Sequence, residues 1–293
     1  VDDSNGKQYV GMLKTISNNP ADIIPTADIV LFCLPAFMVE QTLETIKPYL
    51  SSKTIVGSVV GNTGFFIFAH KVLADQPIGL FAFQRVPYIS RVVEYGKKAS
   101  LLGYKDKLLI ATEHISNPQE FCNDISMLFC TPTILLQSFY EVTLSNSNPI
   151  LHTGRLYSMW KDWNGEHYKN NSLFYTSWTD EASDLLIKMD EEFFCLLDKL
   201  GVSTEHLPTL LQHYEVHDAK SLTQKIKSIP AFSNILSPMK QTPNGWLPDF
   251  ESRYFTEDFP FGLRFIYELA HANNINTPNI DKVYQWGISK IKQ

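Results

Sequence analysis

Several features that would classify this 293-residue sequence at once are missing from it. No apolar run approaches the roughly 18 residues that a membrane helix needs. The opening VDDSNGKQYV is polar, so no signal peptide is expected, and it does not begin with Met. Basic residues are in the minority, 25 Lys and Arg against 31 Asp and Glu. The resulting net charge of −6 argues against a general nucleic-acid binder. Only four cysteines occur, Cys33, Cys122, Cys130 and Cys195, and none falls in a C-x-x-C or Cys/His ligand pattern. They stand in apolar segments such as VLFCLP and EFFCLLDKL, where Cys behaves as a small hydrophobe. Reduced core thiols in a cytoplasmic protein are therefore expected. His213 and His217 lie four apart in HYEVHD, but no Cys or third His is near in sequence, and a solvated polar segment is the expectation, with no metal.

What is present suits a folded chain with a sizeable core. The composition is 44% hydrophobic and 19% charged, enough for a sizeable core, and the length is comfortable for two domains. ADIVLFCLPAF (27–37) is a short apolar run ending in Pro, the pattern of a strand buried on both faces. MVEQTLETIKPYL follows, with Val39, Leu43, Ile46 and Leu50 at helical spacing. KTIVGSVVG (53–61) reads as a strand, FFIFAHKVLA as a helix and IGLFAFQRVP (78–87) as a third strand. This alternation predicts an α/β sheet with right-handed crossovers. KKASLLGYKDKLLIAT (97–112) reads as two strands around a turn at 104–106, PQEFCNDISMLF as a helix and TPTILLQ as one more strand.

From about residue 139 the periodicity is helical almost throughout. EASDLLIKMDEEFFCLLDKLG (181–201) is a long amphipathic helix with Gly201 placed to end it. AKSLTQKIKSI, GLRFIYELAHANN and TPNIDKVYQWGISKIKQ are further helices. The expected organisation is an α/β domain over 1–139 and a helical domain over 140–293, without a flexible Gly/Ser linker and so with a shared packed interface.

An α/β domain followed by a helical one suggests a dehydrogenase, and its mark would be G-x-G-x-x-G after the first strand. That motif is absent. VGNTGFF (60–66) has the wrong spacing, and Gly61 and Gly64 fit a strand-to-helix turn. Two explanations stand: an α/β domain that binds no nucleotide, or a first β-α-β unit upstream of Val1. The non-Met start favours the second.

Two stretches remain. LSNSNPILHTGRLY (144–157), at the expected domain boundary where ligand clefts concentrate, holds Asn146, Asn148 and His152, with Pro149 expected to interrupt a plain helix. Asn148 and His152 are four apart and fit one face of a helical turn. Taken alone, His152 reads more readily as a satisfied, partly buried histidine than as a catalyst. ESRYFTEDFPFGL (251–263) places Arg253 five residues before Asp258. Either Asp258 caps a helix and Arg253 is a surface charge, or the pair serves a site.

The motif SN-x-N-P-x-x-H, then RYFTEDFPFGL about a hundred residues later, then NNINTPNID, resembles the octopine/nopaline (opine) dehydrogenase family. PADIIPTADIVLFCLPAFMVEQTLETIKPYL resembles that family's later Rossmann strand and helix, and FQRVPYISRVVEYGKKASLLGYK its PY-x-x-R segment. The resemblance covers the chain from about residue 20 onward. It implies a Rossmann-type parallel-sheet domain whose first βαβ unit is missing here, and a helical C-terminal domain like that of 6-phosphogluconate dehydrogenase. It implies an NAD or NADP cofactor and reductive condensation of an α-keto acid with an amino acid. His152 would be the proton donor, Asp258 the carboxylate that fixes its tautomer, and Arg253 the guanidinium gripping the keto-acid carboxylate. Asn148 would hold substrate or nicotinamide, or serve only a local hydrogen bond. Leu34, Pro35 and Ala36, with Gln84 and Pro87, would line the cofactor site at the C-terminal ends of parallel strands. Arg91 reads as a structural or surface charge. The absent Gly-rich turn puts cofactor binding by this chain in question and removes the residue that would separate NAD from NADP. Two further readings are a ketopantoate reductase-like 2-keto acid reductase and a degenerate, non-catalytic metabolite binder. No membrane or nucleic-acid partner is expected, and a homodimer is compatible with the helical domain.

Overall fold

The computed structural model describes residues 1–3 and 5–291. They divide into two compact units, Val1–Ser145 and Asn146–Gln293.

The first unit is α/β. Its five-stranded sheet has the order β2-β3-β4-β7-β8, with β1 (Asp2–Asp3) lying in a separate small sheet. Strands β2 (Ile29–Phe32), β3 (Ile55–Val59) and β4 (Gly79–Phe83) are parallel, joined through helices α1 (Ala36–Ile46) and α2 (Phe65–Val72). Burial of Val39, Leu43 and Ile46 on one stripe of α1, against Val56, Phe65, Leu80 and Ala82, builds the core on one side of the sheet. Phe81, Phe83, Ile110, Phe121 and Ile125 build the other. Each of the Val, Leu, Ile and Phe side chains contributes about 1.5–3 kcal/mol on leaving water.

One expectation changes here, and two pairings lay outside the expectations. Strand β2 is not buried on both faces: it is an edge, and Ile29, Leu31 and Cys33 alternate on a face open to solvent. An apolar run alone cannot distinguish an inner strand from an edge one. The two strands of 97–112 belong to different sheets. β6 (Lys98–Tyr104) forms a hairpin with β5 (Tyr88–Glu94), turning at Gly96 with φ +72°, and pairs on its other side with β1. β7 (Leu108–Glu113) instead runs antiparallel to β4. Strand β5 had no sequence expectation, because its alternation is broken by charged residues and its side chains stay largely exposed. Helix α3 (Pro118–Leu128), strand β8 (Thr133–Leu135) and the short α4 (Tyr140–Thr143) complete the unit. At Gly61–Thr63 the chain makes a single 3-10 turn and Gly64 takes φ +80°, a strand-to-helix turn.

The second unit is helical, with one hairpin. Helix α5 (Asn148–Trp160) packs on α6 (Asp180–Lys199), the long amphipathic helix, which ends at Gly201 with φ +64°. Short α7 (Leu210–Tyr214) and α8 (Ala219–Ser228) both begin in capping boxes, at Thr209 and Asp218. The hairpin of β9 (Met239–Thr242) and β10 (Gly245–Pro248) lay outside the helical expectation. A one-turn α9 (Arg253–Thr256), a π-type turn at Phe259–Leu263, α10 (Arg264–Ala272) and α11 (Pro278–Ile291) close the fold. Among the described residues, no helix is long and apolar enough to cross a membrane.

The four cysteines are free, but only Cys122 is buried. Cys33, Cys130 and Cys195 are exposed, so the expectation of four core thiols is corrected. Cys33 falls on the open face of the edge strand and Cys130 in the turn after α3, where φ is +50°.

Candidate active site

Helix α5 carries the site. Pro149 is in its first turn, where a missing N–H removes no intrahelical bond, so the expected interruption does not occur. Residues 149–151 and 153–156 are buried, and His152 stands among them as a partly buried side chain, 12% exposed. Its Nδ1 lies 2.8 Å from Asp258 Oδ2. Its Nε2 lies 2.9 Å from the Tyr175 hydroxyl. An ionised carboxylate can only accept, so Nδ1 carries hydrogen and donates to Asp258. The tautomer is thereby set and Nε2 is the nitrogen that gains and loses the proton.

Asp258 does not cap a helix. Its backbone is helical, at φ −69° and ψ −30°, and its side chain makes no capping bond because the carboxylate is turned to His152. Two glycines explain how the chain can bring it there. A Cβ on Gly262 would stand 2.5 Å from Pro149 Cγ, so only Gly lets the π-type turn close on the start of α5. A Cβ on Gly287 of α11 would overlap the Phe259 ring, so its absence gives Phe259, the neighbour of Asp258, its seat.

Aromatic rings wall the imidazole. Tyr254, Phe174 and Tyr175 lie with ring centroids 4.8, 6.0 and 6.4 Å from it. Burial raises the Tyr254 phenol above its ordinary range, and the charge of Asp258 adds to the effect. For Tyr175 the same order holds: burial first, then its neighbours Tyr254, Tyr214 and Asp258, push the phenol well up. Both phenols are neutral at physiological pH.

Arg155, one turn after His152 on the same helix, is buried, with no carboxylate partner among the described residues. Its Nε donates to the Phe174 carbonyl at 3.1 Å and Nη2 to the Ser177 carbonyl at 2.8 Å. Its guanidinium lies 5.2 Å from the Trp178 ring centroid, and burial pulls its pKa down to about 10.

Arg253 sits one turn before Asp258, with a side chain 79% exposed. Its fork is held by Glu257, with Nε–Oε1 at 3.0 Å and Nη2–Oε2 at 2.6 Å. Asn148 is exposed, and its backbone N–H donates to Asn146 Oδ1. Helix α5 and the turn after α9 therefore bring His152 and Asp258 together, while Arg253 and Asn148 stay at the surface.

The residues expected to line a cofactor lie in the first unit. Leu34 packs against the core, Pro35 precedes α1 without a side-chain cap, and Ala36 is buried in the first helical turn. Gln84 is buried just beyond β4 and donates from Nε2 to the Glu141 carbonyl at 2.9 Å. Pro87 is buried, and Arg91 is exposed and donates to the Ser90 carbonyl. Leu34–Ala36 follow the C-terminal end of β2, and Gln84 that of β4, the edge at which α/β sheets bind nucleotides.

Sequence reasoning did not single out Tyr175, Arg155 or Tyr254. None of the three is marked by a recognisable motif of its own, and only folding brings the 174–178 loop onto α5.

Comparison with known proteins agrees with this architecture. The family described as NAD/NADP octopine/nopaline dehydrogenase, alpha-helical domain, matches residues 135–290, which contain His152 and Asp258. The opine dehydrogenase of Haliotis discus hannai is 27% identical over 293 residues, covering 94% of this chain and 72% of that protein. The tauropine dehydrogenase of Arabella iricolor is 28% identical over 296 residues, covering 93% and 73%. A solved structure of octopine dehydrogenase with NADH and L-arginine superposes with a TM-score of 0.84 at 24% identity, covering 99% of this chain and 76% of that one. With the family match spanning more than half of its length, this chain belongs to the NAD/NADP octopine/nopaline dehydrogenase family.

Proposed function

We propose that this chain carries out the NAD(P)H-dependent reductive condensation of an α-keto acid with an amino acid. The observation that carries the reading is the His152–Asp258 bond inside the domain that the family match covers. The nicotinamide, when bound, supplies the hydride that reduces the imine carbon. The chain supplies the rest. His152 holds the proton destined for the nitrogen or oxygen of the reacting group, and Asp258 stabilises the imidazolium and fixes its tautomer. Arg253 offers the planar fork that a keto-acid carboxylate would take in place of Glu257. Asn148, exposed one turn before His152, is assigned to substrate positioning.

The first unit fits a dinucleotide in part. Leu34–Ala36 and the Gln84–Pro87 segment offer the nicotinamide a wall at the C-terminal ends of β2 and β4. The sequence contains no G-x-G-x-x-G, so no loop in it is assigned to the pyrophosphate. We assign residues 1–139 to the cofactor and 140–293 to substrate and catalysis. Four free thiols suit a reducing compartment, and the assigned location is the cytoplasm.

The test follows NADH and NADPH oxidation by absorbance, with a panel of α-keto acids offered with and without amino acids. Amine-dependent oxidation that collapses in His152→Ala establishes the reading. Oxidation that needs no amine moves the chain to the simple keto-acid reductases. Absence of oxidation and of nicotinamide binding overturns the reading and favours the degenerate metabolite binder.

A further inference from the structure

Both ring nitrogens of His152 are engaged, and only one partner is a carboxylate. The other is the hydroxyl of Tyr175, which is 5% exposed and sits in a loop rather than on a helix. Loops move unless something holds them, and this one is held at several points. The Phe174 N–H donates to the Ile235 carbonyl at 2.8 Å, and the Ser237 N–H donates to the Ser172 carbonyl at 2.8 Å. Arg155 then grips the carbonyls on both sides of Tyr175, those of Phe174 and Ser177. The Tyr175 ring stacks on Phe232, 4.1 Å between centroids at 18°, and lies parallel to Trp178 at 5.9 Å. A guanidinium buried without a counter-ion is costly in a protein interior. Arg155 offsets part of that cost with the two carbonyl bonds by which it clasps the loop to the helix that carries His152.

We propose that Tyr175 is a positioning residue for His152: its hydroxyl holds Nε2, so that the imidazole is fixed at both nitrogens and Arg155 fixes the tyrosine. This rests on His152 being the proton-holding group of the proposed reaction. With neutral His152, Nδ1–H donates to Asp258 and the hydroxyl donates to Nε2. With protonated His152, Nε2–H donates to the hydroxyl oxygen until the acceptor atom of the substrate takes that bond in its place, and the proton leaves by it. A hydroxyl serves both states, because it is donor and acceptor at once. A second carboxylate could only accept, and would favour the charged ring alone. The high phenol pKa keeps Tyr175 neutral while it exchanges roles.

The experiment compares the full chain with Tyr175→Phe, which keeps the stacked ring and removes one oxygen. Two readouts are taken: the ¹⁵N resonances of His152 through a pH titration, and steady-state kinetics with the keto acid and amine found to be turned over. The expected result is a displaced Nε2 resonance and an altered His152 titration. A kcat lower by about tenfold or more is expected, with both KM values within about twofold. Tyr254→Phe, whose ring also touches His152, is expected to leave the Nε2 resonance in place. An unmoved Nε2 resonance in Tyr175→Phe overturns the proposal, as does a kcat equal to that of the parent. The resonance needs no turnover, so a chain without opine activity would sink the proposed reaction and leave the His152–Tyr175 bond to be decided on its own readout.

Discussion

His152 and Asp258 lie 106 positions apart in the chain and 2.8 Å apart in space. The approach depends on Gly262, whose missing side chain lets the turn after Asp258 rest on Pro149, three residues before His152. The His152–Asp258 pair is thus set by a close packing contact one step removed from it.

Asp258→Asn tests the pair directly. An amide in place of the carboxylate leaves the shape, and can present its NH₂ to Nδ1 and reverse the tautomer. The expected outcome is a kcat lower by about 100-fold or more, with a change in thermal stability of only a few degrees. Retained activity would remove Asp258 from the mechanism.

Gly262→Ala tests how the pair is assembled. The added methyl must displace Pro149 or the turn, at a cost of about 1–3 kcal/mol. Both denaturation midpoint and kcat should fall, although Gly262 itself bears no functional group. A variant with full kcat would mean that the turn can shift without moving Asp258.

Arg253 is exposed and paired with Glu257, a pair worth little to stability. Arg253→Ala should therefore leave the melting temperature within about a degree. The KM for the keto acid should rise by about tenfold or more, while that for the amine changes less. Equal KM values for variant and parent would return Arg253 to the surface role that its exposure suggests.

Asp190 gives the fold a pH dependence of its own. It is buried on α6, accepts from the Leu210 N–H at 2.8 Å, and burial raises its carboxyl to about 6 from an ordinary 3.8. The folded chain then holds the proton more tightly than the unfolded one. The stability this contributes is complete below about pH 4 and is lost as pH rises through 6. The amount at stake is about 3 kcal/mol. Asp190→Asn should flatten the stability profile between pH 4 and 6, measured by urea denaturation. A slope unchanged by the substitution would show that other carboxyls produce it.

The elements and the chemistry were not equally legible. Helix α6 was written in its apolar spacing and its terminal Gly201, and the parallel β2-α1-β3-α2-β4 run in the alternation of apolar strands with amphipathic helices. Those signals are local, and local periodicity is what a sequence expresses most directly. Asp258 and His152 were legible only through the order and spacing of a family pattern. Nothing near either residue states that they touch.

Other features were decided by the tertiary structure alone. Among the described strands β2 pairs on one side, with β3, and Cys33 just after it is exposed. Asp258 turned from a helix cap to an imidazole partner because α5 passes within hydrogen-bonding distance of it. Tyr175 and Arg155 acquired their places because the 174–178 loop folds back on α5. The sequence by itself determined the parallel β2-α1-β3-α2-β4 run, the long helices and the residue types available for proton transfer. Which of those residues meet was decided by close packing between distant segments, down to the space left by a single hydrogen in place of a methyl at Gly262.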